Sequence, residues 1–214
     1  MLSRTLLHLA CALAAPALFA VGGARAAPAD PARACPAYPF AHPKRQVTEA
    51  QVTALLKAAI ARHWLELGPY DVSIKTFTSA HDYFKSEVAP GTVLRSARKR
   101  RYHVQVNSQL LADAPADAAL TAIIVHELSH VHDYTQMSSV RFAEFAIGYA
   151  TRPQAAYERQ TDGAPLRRGL GCGLMEYRVW LYARLDPKTL ALKKKNYFTP
   201  AEIAEWMAAH PGGK

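Results

Sequence analysis

The chain has 214 residues, a length typical of one domain or of one domain with two lobes. Its formal net charge is +9. Its basic residues cluster in short runs that are scattered through the sequence, at residues 95–101, 167–168 and 193–195. No nucleic-acid-binding motif accompanies these runs, so the sequence does not predict a nucleic-acid-binding protein. Such runs are most often solvated faces, and they leave open contact with an anionic surface of the cell envelope or with an acidic substrate.

The N-terminal segment, residues 1–26, is typical of an export signal. Arg4 precedes an apolar run, and "ARA" at residues 24–26 is a small-x-small cleavage site. We predict cleavage near Ala26, which leaves roughly 190 residues in the periplasm or outside the cell. Loss of Arg4 and Arg25 lowers the net charge from +9 to +7. An uncleaved anchor is the alternative, although the run is short for a membrane span, and Cys11 lies too early for lipidation.

Two cysteines, Cys35 and Cys172, remain after the predicted cleavage. Disulfides persist in the compartments to which export leads, so these two can form a bridge from the N-terminal arm to the "GLGCGL" loop. Two unpaired thiols are the alternative. The arm itself, residues 27–47, is rich in proline and alanine and is predicted to be extended, as a tether or as a segment that covers a cleft.

Regular structure is predicted to begin at Thr48, which forms a capping box with Gln51 and opens an amphipathic helix of about four turns that ends at Gly68. Alternating apolar residues then predict a strand in "DVSIKTFTS", from residue 71. A second strand is predicted in "RYHVQVNSQ", from residue 101, and its basic flank is typical of an exposed edge strand.

The remainder of the chain is predicted to be mainly helical. An apolar helix runs from a first turn at Pro115 to Tyr134, and a short helix runs from Pro153 to Asp162, closed by Gly163. Two more helices are predicted, one in "LMEYRVWLYARL" and one that opens with a second capping box at residues 199–202.

The apolar helix carries the pattern HExxH as His126, Glu127 and His130. Residues four apart on a helix are rotated by about 40° and lie roughly 6 Å apart along the axis, so both imidazoles can share a cation. Catalytic zinc accepts such ligands and keeps one position for water, from which Glu127 can take a proton. The alternative is a core helix whose histidines are satisfied within the protein. His132 points away from the pair and is predicted to be a bystander.

A third zinc ligand must come from elsewhere, and two downstream glutamates are candidates. Glu158 and Asp162 form ExxxD on one side of the short helix, so Glu158 can bind the metal while Asp162 holds a ligand histidine by its other ring nitrogen. Glu176 is the alternative third ligand, but no acid follows it four residues later. Asp133 lies near the metal face and can also orient a ligand histidine, or can simply face solvent.

The pair "HELSH" and "YERQTD" resembles the gluzincin metallopeptidases, over roughly residues 102–162. The resemblance implies one zincin-like α+β domain at residues 48–214. It has a small mixed sheet with an exposed edge strand over the active-site helix and a mainly helical C-terminal subdomain. It also implies one zinc ion, held by His126, His130 and Glu158, and peptide-bond hydrolysis with Glu127 as general base. A peptide or protein substrate would pair with the edge strand, for which "RYHVQVN" is the candidate.

Two points stay open at this stage. Gluzincins commonly stabilise the oxyanion with a Tyr, His or Arg, and the resemblance allows Tyr157, Tyr177 or Arg178. The competing function is a non-catalytic envelope protein with a structural metal site. In that case His132 would complete four protein ligands.

Overall fold

The structure, a computed structural model, describes residues 29–151 and 153–212. The predicted export signal, its cleavage site at Ala26 and Cys11 lie outside the described residues. Within the described ranges, no helix combines the length and the apolar character that a membrane crossing requires.

Nine α-helices and three β-strands make up the regular structure of the described residues. The helices are α1 (Pro31–Ala34), α2 (Glu49–His63), α3 (Ser108–Ala112), α4 (Asp117–Thr135), α5 (Ser139–Thr151), α6 (Ala155–Arg167), α7 (Gly171–Tyr182), α8 (Pro187–Asn196) and α9 (Pro200–Ala209). The strands are β1 (Asp71–Phe77), β2 (Phe84–Val88) and β3 (Arg101–Asn107). The fold is therefore mixed α+β, with a small sheet and a largely helical C-terminal half.

The sheet has the order β1-β3-β2, with β3 parallel to β1 and antiparallel to β2. The prediction that β3 is an exposed edge strand is wrong, because both of its sides are paired. Three residues of β3 are completely buried: Tyr102, Val104 and Val106. Arg101, the last residue of the basic flank, is exposed at the start of the strand. The edges are β1 and β2. The sequence did not predict β2, whose five residues "FKSEV" lack a clear alternation.

Helix α2 begins at the predicted capping box, in which Thr48 and Gln51 bond each other's backbone N–H groups. It ends at His63, earlier than the predicted stop at Gly68. Trp64 leaves the helical conformation, and its indole Nε1 donates a hydrogen bond to the carbonyl of Val125 at 3.2 Å. This bond ties the end of α2 to the centre of α4.

Helix α4 is the element around which the others pack, because it contacts α2, α6, α7, β2 and β3. Its N-cap is Ala116, so Pro115 precedes the cap and does not lie in the first turn as predicted. Thirteen residues of the helix are buried, which accounts for its nearly continuous apolar sequence. His126, Glu127 and His130 are among the thirteen, so the HExxH pattern lies inside the molecule.

The predicted end of the ExxxD helix at Gly163 is also wrong. Helix α6 continues through Gly163 and Pro165 to Arg167, and the residue that closes it is Gly169, with a φ of 73°. Pro165 lacks the N–H that would bond the preceding turn, which disfavours a helix interior. Residues 161–166 are all buried, and their packing offsets that cost.

Cys35 and Cys172 are joined by a disulfide, the first of the two alternatives. The bridge links the arm to α7, and Ala34, Tyr38 and Phe40 of the arm pack in a second apolar cluster with residues of α7 and α9. The described part of the arm is thus packed against the C-terminal helices and is not a free tether.

A close approach of α7 to α4 depends on Gly173. A Cβ atom at this position would lie 2.4 Å from the carbonyl oxygen of Ala118 and 3.1 Å from the Cβ of Ala122. Both neighbours belong to α4, so only a shift of one helix against the other would make room. The spacing of the two helices determines where the side chains of α7 meet those of α4.

We predict that Gly173→Ala lowers the free energy of unfolding by about 1–3 kcal/mol, because an added methyl group overpacks a helix contact. Gly91→Ala is the matched control, since a Cβ at Gly91 would meet nothing within 4 Å. Urea unfolding of both variants measures the difference. Equal stability of Gly173→Ala and the parent would contradict the close approach.

Candidate metal centre

Two histidines of α4 and one glutamate of α6 meet in the interior. Oε2 of Glu158 lies 3.4 Å from Nε2 of His126 and 3.4 Å from Nε2 of His130. The three side chains are buried, and their ligand atoms all lie within 4.8 Å of one another. The structure therefore brings together a His-His-Glu group that could hold a metal ion.

The chemistry of this group fits a cation. Oε2 of Glu158 is buried and has no hydrogen-bond partner among the described residues, which is a costly state for a carboxylate oxygen unless an ion completes it. Tetrahedral zinc with bonds of about 2.0–2.1 Å separates neighbouring donor atoms by about 3.3 Å. The two distances of 3.4 Å are close to that value. Imidazole and carboxylate donors suit zinc and several other transition metals.

The outer nitrogen of His126 meets a buried carboxylate. Its Nδ1 lies 2.9 Å from Oδ1 of Asp162. Arg178 forms an ion pair with the same oxygen at 2.6 Å, and the backbone N–H of Phe198 donates to Oδ2 at 2.8 Å. Burial raises the pKa of Asp162, but the guanidinium of Arg178 and then His126 hold that pKa below its usual value. Asp162 is therefore an anion placed to orient the imidazole of His126.

The ionisable side chains of the group change each other's pKa. Burial lowers the pKa of His126, but contact with Asp162 and then Glu158 raises it to about 9. Burial likewise raises the pKa of Glu158, while His126 and His130 together hold it well below its usual range. Glu158 is consequently ionised at neutral pH. A divalent cation in this place would displace the proton of His126.

Tyr157 connects His130 to Asp133. The hydroxyl of Tyr157 donates to Oδ2 of Asp133 at 3.0 Å, and it lies 3.1 Å from Nδ1 of His130. Because the carboxylate can only accept, the hydroxyl proton points to Asp133, and Nδ1 of His130 carries the proton that Tyr157 accepts. Nε2 of His130 then has a free lone pair on the side of Glu158. Asp133 thus reaches His130 through Tyr157 and not directly.

A second tyrosine, Tyr149 of α5, donates a hydrogen bond to Oε1 of Glu158. This bond fixes one carboxylate oxygen and leaves Oε2 to face the two histidines. The sequence analysis did not identify Tyr149, because α5 itself was not predicted. Tyr149 lies near the end of an apolar segment, and nothing in that segment indicates a contact with Glu158.

Glu127 lies beside the group and lines a small cleft. Its side chain is buried, and Oγ of Ser86 lies 2.8 Å from its Oε2 and 3.0 Å from its backbone carbonyl oxygen. Ser86 belongs to the edge strand β2, so the sheet positions the carboxylate. Neither Ser86 nor β2 was identified from the sequence.

The cleft above Glu127 lies between β2, α7 and α8, and it includes the remaining candidates. Arg178 forms an ion pair with Asp162. Tyr177 packs against the rings of Phe84 and Trp180 and lines the cleft. Tyr197, which the sequence analysis missed, lines the cleft too, with its ring 5.9 Å from that of His126. Burial raises the pKa of both tyrosines well above 10, so both hydroxyls remain protonated.

The mouth of the cleft is narrow. Nζ of Lys193, on α8, lies 2.8 Å from Oδ1 of Asp82, which precedes β2. His81 and Lys193 both line the cleft, whose volume is about 20 Å³. This volume holds a water molecule but not a peptide. A larger ligand can therefore reach Glu127 only if α8 and the loop before β2 move apart.

The structure places two other sequence candidates away from the group. Glu176 lies near the backbone of Ala116 and the charge of Arg45, at the start of α4. Ten residues of helix, or about 15 Å, separate that point from His126. The ring of His132 packs 5.0 Å from that of Trp64, outside the His-His-Glu group.

No protein-family model, no curated protein and no solved structure matches the chain. The function is therefore inferred from the geometry of the site and from its sequence motifs.

We predict that Tyr157→Phe weakens zinc binding by about 10–100-fold, because His130 loses the partner that fixes its tautomer and orientation. Tyr182→Phe is the control, since the buried hydroxyl of Tyr182 has no hydrogen-bond partner among the described residues. Competition with a chromogenic chelator measures both affinities. An unchanged affinity in Tyr157→Phe would contradict the role of the Tyr157 and Asp133 pair.

Proposed function

We propose that the protein is a zinc-dependent peptidase of the gluzincin type with a zincin-like fold. The observation that carries the proposal is the position of Glu127, which lies on α4 between two histidines whose Nε2 atoms face the same oxygen of Glu158. Three protein ligands are the number that catalytic zinc sites use, whereas structural sites use four. His132, the candidate for a fourth ligand, packs on Trp64 instead.

Zinc held by His126, His130 and Glu158 would polarise a carbonyl group and lower the pKa of a nearby water towards neutrality. Glu127 would be the base that takes a proton from the attacking water and passes it to the leaving amine. Ser86 holds the carboxylate of Glu127 in place through its hydroxyl. Asp162 contacts Nδ1 of His126 and Tyr157 contacts Nδ1 of His130, and these contacts keep the two imidazoles oriented.

Tyr177 and Tyr197 are the residues that we propose as donors to the oxyanion. Both line the cleft beside Glu127. Their raised pKa values keep the hydroxyl proton available. Tyr157 and Arg178 are less suited, because Asp133 and Asp162 already occupy their polar groups.

The substrate that we propose is an extended peptide or protein segment that pairs with β2. This strand is an edge of the sheet, so one side of its backbone is free to form hydrogen bonds. Ser86 of β2 contacts Glu127, and a peptide paired with β2 would pass next to that carboxylate. The edge strand that serves the site is thus β2, and not β3 as the sequence indicated.

Export to the periplasm or the exterior is part of the proposal. It is supported by the export signal predicted from the sequence and by the disulfide between Cys35 and Cys172, since disulfides persist in oxidising compartments. A non-catalytic envelope protein with a structural metal is the second candidate. The narrow cleft above Glu127 favours it, because a peptide has no room there until α8 moves.

We predict that Glu127→Gln reduces cleavage of a quenched fluorescent peptide library by at least about 100-fold, because the general base is removed. The zinc content of the variant should equal that of the parent, since Glu127 is not a proposed ligand. Glu176→Gln is the matched control, a half-buried glutamate outside the metal group, and it should retain full activity. Full activity of Glu127→Gln would refute the proposed mechanism. An inactive parent that binds zinc would favour the structural-metal function.

A further inference from the structure

Arg100 is a buried arginine outside the His-His-Glu group. It joins the loop before β3 to the end of α4 and the start of α5. Arg100 is 1% exposed, and its guanidinium donates hydrogen bonds to five acceptors. These are the carbonyl groups of Val93, Arg95, Tyr134 and Met137 and the hydroxyl of Ser139. The backbone of the loop of residues 89–100 is therefore held in place by hydrogen bonds of Arg100.

Leu94 lies at the outer side of this loop, between two of the carbonyl groups that Arg100 binds. It is 87% exposed, the highest value among the large hydrophobic residues of the described chain. Arg95, Arg98 and Lys99, which lie within five residues of Leu94 in the same loop, are also exposed. An exposed leucine in a loop that also carries exposed cationic residues is suited to a partner that is both apolar and anionic.

Helix α5 extends the same surface. Oγ of Ser139 lies 3.3 Å from the carbonyl oxygen of Arg95, so the start of α5 is joined to the loop. Val140 is 71% exposed and Ile147 is 68% exposed, and residues seven apart share a face of a helix. Three of the five most exposed large hydrophobic residues of the described chain thus belong to one surface, which we call the Leu94 surface: Leu94, Arg95, Arg98, Lys99, Val140, Arg141 and Ile147.

We propose that the Leu94 surface binds a bilayer that contains anionic phospholipids. The apolar side chains enter the boundary between headgroups and acyl chains, and the guanidinium and ammonium groups pair with lipid phosphates. Glu144 lies on the same face of α5 as Val140 and Ile147, which keeps the helix at the level of the headgroups. This inference does not depend on the proposed peptidase activity.

The choice of a bilayer over a soluble polyanion follows from the mixture of charge and apolar surface. A polyanion would be bound by the cations alone, and the residues 193–195 would serve as well as the loop. Leu94 and Val140 add nothing to such binding. They add to affinity only where acyl chains are within reach.

Sedimentation of the mature chain with lipid vesicles tests the inference. Binding is measured to vesicles of phosphatidylcholine alone and to vesicles that also contain phosphatidylglycerol. Leu94→Asp should weaken binding to the anionic vesicles by at least about tenfold, and Arg95→Gln with Lys99→Gln should weaken it by about tenfold or more. All of these positions are exposed, so the fold is retained, which circular dichroism checks.

Two matched variants separate the Leu94 surface from net charge. Leu192→Asp changes a leucine of α8 that is 54% exposed, and Lys188→Gln with Lys195→Gln removes two exposed cations of the same helix. Both should bind anionic vesicles as the parent does. An equal loss in these controls would mean that net charge alone drives binding, and it would overturn the inference. Absence of parent binding to anionic vesicles, or binding to heparin alone that Leu94→Asp leaves intact, would overturn it as well.

Discussion

One buried carboxylate, Asp162, connects the elements on which the candidate metal centre depends. It contacts His126 of α4, forms an ion pair with Arg178 of α7 and accepts the backbone N–H of Phe198 before α9. Removal of one partner of a buried ion pair typically costs about 3–5 kcal/mol, because the remaining charge is left without compensation. The orientation of the metal-facing imidazole and the packing of the C-terminal helices are therefore stabilised by the same interaction.

The residues of the candidate metal group could be predicted from the sequence because their spacing is local. His126 and His130 lie four apart on one helix, and Glu158 and Asp162 lie four apart on another, so helical geometry alone brings each pair to one side. The residues that hold them in place could not be predicted in the same way. Tyr149 reaches Glu158 from α5, and Ser86 reaches Glu127 from the sheet. Both contacts depend on tertiary packing.

The fold shows the same division between local and non-local information. Both capping boxes open helices at the residues that the sequence indicated, since the two bonds of a capping box are made within four residues. The position of β3 in the centre of the sheet was missed, because pairing partners are chosen by the whole sheet. Gly163 was predicted to close the ExxxD helix, but α6 continues through Gly163 and Pro165, which its buried surroundings retain inside the helix.

We propose that the buried group of His126, His130 and Glu158 holds zinc. Elemental analysis of the purified protein, beside the variants Glu158→Ala and Glu176→Ala, tests this proposal. We expect about one zinc per chain in the parent and in Glu176→Ala, and loss of zinc in Glu158→Ala. A folded parent without zinc, or a Glu158→Ala variant that keeps it, would show that this group is not a zinc site.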